Sequence, residues 1–146
     1  MKRSILIISL AFIATFASAQ KLNSKDIPAE VSGAFAKLFP TIKDPKWVKE
    51  GINFEANFDF NKVETSVTFD TYGNALETES EIKVSELPKI AIDYMKKTYP
   101  EKKIKEASKI IDNKGTITYE AEGKGIEVIF NANGNFLKEI KQEIKD

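Results

Sequence analysis

The chain carries one turn twice. Thr68-Phe69-Asp70-Thr71-Tyr72-Gly73-Asn74 returns as Ile129-Phe130-Asn131-Ala132-Asn133-Gly134-Asn135, 61 positions further on. In each, a strand ends on an aromatic, an Asx residue and a glycine make the corner, and a new strand begins. Asx and Gly tolerate the left-handed backbone that such a corner needs. A turn repeated at this distance points to a duplicated architecture, and the surrounding residues repeat with it.

Ile27-Pro28 opens a helix, with Pro at the first helical position, where its missing N–H costs nothing. Ile27, Val31, Ala34, Phe35 and Leu38 form one apolar stripe. Phe39-Pro40 closes it, because the residue before a proline is pushed out of helical geometry. The same grammar returns 60 positions later, with Leu87-Pro88, then Leu87, Ile90, Ala91, Tyr94 and Met95, then Tyr99-Pro100. Helices this short are not stable alone and must pack on something.

Alternating segments follow each helix. After a short strand at Trp47-Val48, Phe54, Ala56, Phe58 and Phe60 point one way and Glu55, Asn57 and Asp59 the other. Asn61-Lys62 is a tight turn, after which Val63, Thr65, Val67 and Phe69 return on the apolar face, with Glu64, Ser66 and Thr68 outside. Beyond Gly73-Asn74, the pattern puts Leu76, Thr78, Ser80 and Ile82 inside and Ala75, Glu77, Glu79 and Glu81 outside. The second unit reads as strands over Ile104–Ile111, around Ile117, Tyr119 and Ala121, around Ile126, Val128 and Phe130, and from Asn135 onward. Phe54-Glu55-Ala56 reappears as Tyr119-Glu120-Ala121. The sequence therefore predicts an α+β fold of two tandem helix-plus-four-strand repeats, 20–86 and 87–146. They share one antiparallel sheet of about eight strands, with both helices on one face and the other face open. Two separate domains of about 60 residues would be marginal without disulfides.

Residues 1–19 read as a secretory signal peptide: Lys2 and Arg3, an apolar run from Ile5 to Phe16, and Ala17-Ser18-Ala19 before a cleavage expected near Ala19-Gln20. The run is too short for a stable membrane anchor, and no Cys follows for lipid attachment, so a periplasmic or secreted chain is expected. The sequence has no Cys and no His. That removes disulfides, Ser-His and Cys-His nucleophiles, and the usual zinc sites. Residues 27–86 hold 6 Lys and 11 acids, and residues 87–146 hold 12 Lys and 10 acids. Such a distribution can orient a charged partner but offers nucleic acid no coherent basic surface.

Three features could carry function. Glu77, Glu79 and Glu81 share a strand face, with Glu55, Asp59 and Glu64 placed to lie nearby. A carboxylate pair could cleave a glycosidic bond, but acids on the wet side of a one-sided sheet also serve solubility, and no pocket is legible. Asp70 to Asn74 resembles a calcium loop only superficially, since Thr71 and Tyr72 interrupt the alternation of oxygens. Ile129 and Phe136 fall at outward positions, where apolar side chains can mark a partner site. The other reading is a bulge that turns one of them inward.

The paired Ile27-Pro28 and Leu87-Pro88, Phe39-Pro40 and Tyr99-Pro100, the Phe54-Glu55-Ala56 echo and the Phe69-Asp70-x-x-Gly73-Asn74 turn form an ordered set. With it, the chain resembles the PepSY-like, β-lactamase-inhibitor-like family of secreted bacterial proteins. The resemblance implies a fold like that of the β-lactamase inhibitor protein, whose concave sheet grips its target enzyme. It implies no particular target, and the inhibitor's disulfides have no counterpart here. The expectation is an exported, non-enzymatic module that binds a protein on the open face of its sheet, without cofactor or metal. Its contact candidates are Glu55, Asn57, Glu64, Glu77, Glu79, Glu127, Ile129 and Phe136. The alternative is an envelope protein binding a small ligand or cation at the acidic face of the first repeat.

Overall fold

The structure, a computed structural model, describes residues 20–141. The expected signal peptide, residues 1–19, and the last five residues lie outside the described residues. The elements run β1 (Gln20–Leu22), α1 (Ala29–Leu38), β2 (Lys46–Glu50), β3 (Asn53–Phe60), β4 (Val63–Phe69), β5 (Ala75–Ile82), α2 (Lys89–Thr98), β6 (Ile104–Asp112), β7 (Ile117–Gly123), β8 (Ile126–Asn131) and β9 (Phe136–Lys141). All nine strands form one sheet in sequence order, and every neighbouring pair is antiparallel.

Nine strands replace the expected eight or so, because residues read as a polar lead-in form β1. Leu22 pairs with Trp47 and packs against the core beneath α1. A strand of three residues is too short to show its period, so only the partner strand reveals it. The same device recurs in the middle of the chain, where Ile82, at the end of β5, pairs with Ala107 of β6. Each helix is thus bracketed by two strands that pair with each other, with a 3₁₀ turn leading into the helix (Ser24–Asp26 and Val84–Glu86).

Pro28 and Pro88 sit just before their helices, one position earlier than expected, and Phe39 and Tyr99 close them with N–H groups donating to Phe35 and Met95. The buried line is narrower than the sequence stripe. Ile27, Val31 and Phe35, and Leu87, Ala91 and Met95, are buried, whereas Leu38 and Ile90 are each 54% exposed. A ten-residue helix lying on a sheet buries its i, i+4 line and leaves positions rotated off that line in water. Under α1 the core is completed by Trp47, Phe54, Ala56, Phe58, Val67 and Phe69. Under α2 it is completed by Ala107, Ala121, Ile126, Val128 and Phe130.

The repeated corner is a structural joint. Asp70 Oδ1 accepts the N–H groups of Tyr72 and Asn74, and Asn131 Oδ1 accepts those of Asn133 and Asn135. Gly73 and Gly134 have φ of +84° and +85°. A Cβ on Gly73 would lie 2.5 Å from the Glu30 carbonyl oxygen of α1, and one on Gly134 would lie 2.7 Å from Pro88 Cβ at the start of α2. Each corner therefore docks on the first turn of a helix, and only glycine allows both the backbone angle and the approach. A third corner of this kind, which the sequence reading did not single out, joins β6 to β7: Asp112 Oδ1 accepts from Lys114 and Thr116. The Asn61-Lys62 hairpin turn has both φ values positive (52° and 67°), as a two-residue hairpin turn requires.

Candidate functional site

The strand positions that alternate with the two cores build a second, polar surface. Cross-strand register orders it into rows, since directly paired residues share a face. One row runs Val48, Glu55, Thr68, Glu77, Asp112, and the next runs Asn57, Ser66, Glu79, Ile110, Thr118. A third runs Glu81, Ser108, Glu120, Ile129, Lys138, and a fourth Glu106, Glu122, Glu127, Ile140. Glu55, Asn57, Glu64, Ser66, Glu79 and Ser108 line a concavity of about 250 Å³ on this surface.

Electrostatics mark the surface as crowded with like charge. Burial, followed by the neighbouring Glu79, Glu127, Glu122 and Glu77 carboxylates, pushes Glu120 up to about 8. Burial and the charges of Glu55, Glu77 and Glu79 push Glu50 up to about 7. Glu79 is raised by burial, and Ser108 opposes the shift through a hydrogen bond. Glu77 is raised by burial and by Glu55, with Lys138 pulling it down. Glu122 is raised by burial, then by Glu106 and Glu127. Lys138 stands on β9 and Glu77 on β5, so charges from well-separated strands act on one another over this surface.

The sequence-predicted candidates are only partly brought together. Glu55, Asn57, Glu64 and Glu79 line one concavity, and Glu77 lies one row along. Glu127 stands apart, on β8, beside Glu120 and Glu122. Ile129 occupies the polar surface as expected, but it is 7% exposed and forms part of its floor.

Phe136 is a correction. It pairs with Phe130 and stacks on Tyr94 of α2, with ring centroids 5.1 Å apart and an 18° interplanar angle. The cause is a register shift between Ile129 and Phe130, which takes Leu137 out of the pairing. The same shift between Thr68 and Phe69 pairs Phe69 with Ala75, which packs on the core under α1, and takes Leu76 out of the inward position that strict alternation predicts. A bulge reverses the alternation beyond it.

Sequence reasoning missed Glu50, Glu120 and Glu122. Glu120 and Glu122 were legible from their alternation with Ala121; Glu50 lay beyond the short pattern of β2. Carboxylate oxygens of Glu120, Glu122 and Glu127 lie within 4.8 Å of one another, and oxygen ligands of that type suit a hard cation such as calcium. The Asp70 corner does not serve that purpose: Oδ1 accepts two backbone N–H groups and Oδ2 accepts the Asn74 side-chain amide. These bonds, that from the Asn74 side chain foremost, hold the Asp70 carboxyl below its usual range. Among the described residues, no helix is long and apolar enough to cross a membrane.

A family model described as "Putative beta-lactamase-inhibitor-like, PepSY-like" matches residues 53–138. Solved structures share the fold at low identity. A DUF2874 family protein from Bacteroides uniformis superposes with a TM-score of 0.69 at 18% identity, over 78% of this chain and 88% of that one. A BLIP-like protein from Bacteroides fragilis gives 0.60 at 24% identity, over 82% and 89%. A protein from Bacteroides eggerthii, described among "putative periplasmic proteins", gives 0.66 at 15% identity, over 78% and 88%. No curated protein matches the chain.

Proposed function

Because the chain belongs to the PepSY-like, beta-lactamase-inhibitor-like family, we propose that it is an exported, non-enzymatic module that holds a protein partner on the uncovered face of its sheet. The observation that carries this reading is the ordered polar surface itself. Glu55, Asn57, Glu79, Glu120 and Glu127 stand in register around half-buried Ile110 and buried Ile129. A recessed apolar floor ringed by polar side chains has the core-and-rim layout of a contact face. Register supports both helices covering the opposite side. Val67 under α1 pairs with Thr78, which pairs with Ile111, and Ile82 on that same side of β5 pairs with Ala107 and so reaches Ala121 and Val128 under α2. The two bracketed helices and the two docked corners support reading residues 20–86 and 87–146 as tandem repeats. The periplasmic description of the Bacteroides eggerthii relative agrees with export after cleavage at Ala19-Gln20.

Affinity capture from an envelope extract tests the reading. The mature chain recovers a protein at low salt that the Glu55→Lys/Glu79→Lys variant does not, while both unfold at similar temperatures. Recovery of nothing, or of the same proteins by both, would remove it. A second reading has a specific observation behind it. The convergent Glu120, Glu122 and Glu127 carboxylates could take a cation, in the second repeat rather than on the acidic face of the first. Calorimetric titration with calcium separates the two: stoichiometric heat lost in Glu122→Gln favours the cation.

A further inference from the structure

Carboxylates on the polar sheet face are placed against their own interest. Glu106, Glu122 and Glu127 pair directly with one another across β6, β7 and β8, and like charges directly opposite destabilise a sheet. A face that served only solubility would intersperse both signs. Lysine is abundant in this chain, but much of it stands off this face, for example at Lys89, Lys96 and Lys97 of α2, and Lys105 pulls Glu122 down from beside it. On the sheet face, Lys46, paired with Asn57, and Lys138, paired with Ile129, are set among those carboxylates.

Extent decides what kind of cation fits. The carboxylates reach from Glu55 on β3 to Glu127 on β8. Five strand spacings are about 24 Å, far wider than one metal ion and comparable to an extended peptide of roughly seven residues. Ile110, Ile129 and Ile140 lie between the carboxylates, half-buried or buried, as a floor for apolar atoms such as the methylene stems of lysine.

We propose, resting on the binding-module reading above, that the partner is a protein that presents an extended lysine- or arginine-bearing segment to this face. Charge complementarity fixes its sign, and the reach from β3 to β8 matches a short extended segment.

Binding of such a segment should release protons. Glu120 is faced by Glu77 and Glu79 from β5, Glu106 from β6, Glu122 on its own strand, Glu127 from β8 and Lys138 from β9. Glu50 is faced by Glu55 from β3 and by Glu77 and Glu79 from β5. Both carboxyls hold protons near neutrality that an arriving cation displaces. Affinity therefore rises as pH rises through that range.

The test is calorimetry of the mature chain with a decapeptide alternating lysine and threonine, and with its glutamate-threonine counterpart. The lysine peptide is expected to bind, to weaken as salt screens it, and to lose about tenfold in affinity in Glu79→Gln/Glu120→Gln, a 1.4 kcal/mol equivalent. That variant removes like-charge repulsion and should keep its fold, which circular dichroism checks. Buffers of different ionisation enthalpy should report net proton release. No binding of the lysine peptide, or equal binding of both peptides, overturns the proposal. A captured envelope partner that binds Glu79→Gln/Glu120→Gln as well as wild type also overturns it, yet leaves the binding module standing. Failure to capture any face-dependent partner overturns the module itself.

Discussion

Under α1 the core is aromatic. Phe35 meets Trp47 at 5.5 Å and Phe58 at 5.1 Å, both edge-on, and Phe69 closes the group at 6.4 Å. Under α2 the corresponding places are Met95, Ala107 and Gly123, with Phe130 in place of Phe69. The aromatic mass has moved outward: Tyr94 lies 5.6 Å from Phe130 and stacks on Phe136, and the Tyr99 hydroxyl donates to Glu139. The move follows the topology. The strand after the first corner, β5, is held between β4 and β6, whereas β9, after the second, pairs with β8 alone among the described residues. Aromatics on α2 supply to β9 part of the anchoring that a neighbouring strand supplies to β5. The lesson is that register and corners are kept between the units, while the volume that fills them is redistributed.

The sharpest way to break this comparison is to empty each core. Phe35→Ala should cost about 3–5 kcal/mol and Met95→Ala about 2–4 kcal/mol in urea unfolding. Six registered pairs between β5 and β6 join the two units, so either change should move a single shared transition. Two resolved transitions would show that the units unfold separately. Next in size are the corners. Gly73→Ala and Gly134→Ala should each cost roughly 2–3 kcal/mol, combining a positive φ with a Cβ clash against a helix. A loss below that at Gly134 alone would mean that Pro88 yields where the Glu30 backbone does not.

The smallest effect concerns charge. Glu120 holds its proton to about pH 8 in the fold and ionises near 4.5 when unfolded. The folded chain therefore binds more protons between those values, and stability falls as pH rises through that window. Glu120→Gln should stabilise by about 1–2 kcal/mol at pH 8, with solvent screening keeping the gain below the full shift. Thermal melts should show the gain vanish near pH 4.5. A gain independent of pH would refute the account.

Periodicity and punctuation were strong wherever an element was long enough to show them. The eight-residue alternation of β3, the Asn61-Lys62 turn and the proline-bracketed helices were all legible. Much of the polar face was legible too, as Glu55, Asn57 and Glu79 follow from alternation alone. Phe136 was not, because a bulge leaves no mark in the local pattern and reverses every side chain beyond it. Nor was the convergence of Glu50 on Glu77 and Glu79, because convergence across strands is a property of the folded sheet.

By itself the sequence determined the recurring corner, the two helices, the glycines at the turns and the sign of the charge on alternate strand positions. These depend on local backbone preference and on spacing between near neighbours. The tertiary structure alone decided that β1 completes the sheet, that Phe136 of β9 stacks on Tyr94 of α2, and that glutamates from β2 to β8 act on one another. Those outcomes depend on pairing between residues far apart in the chain, where burial and Coulomb repulsion are set by what the other strands bring.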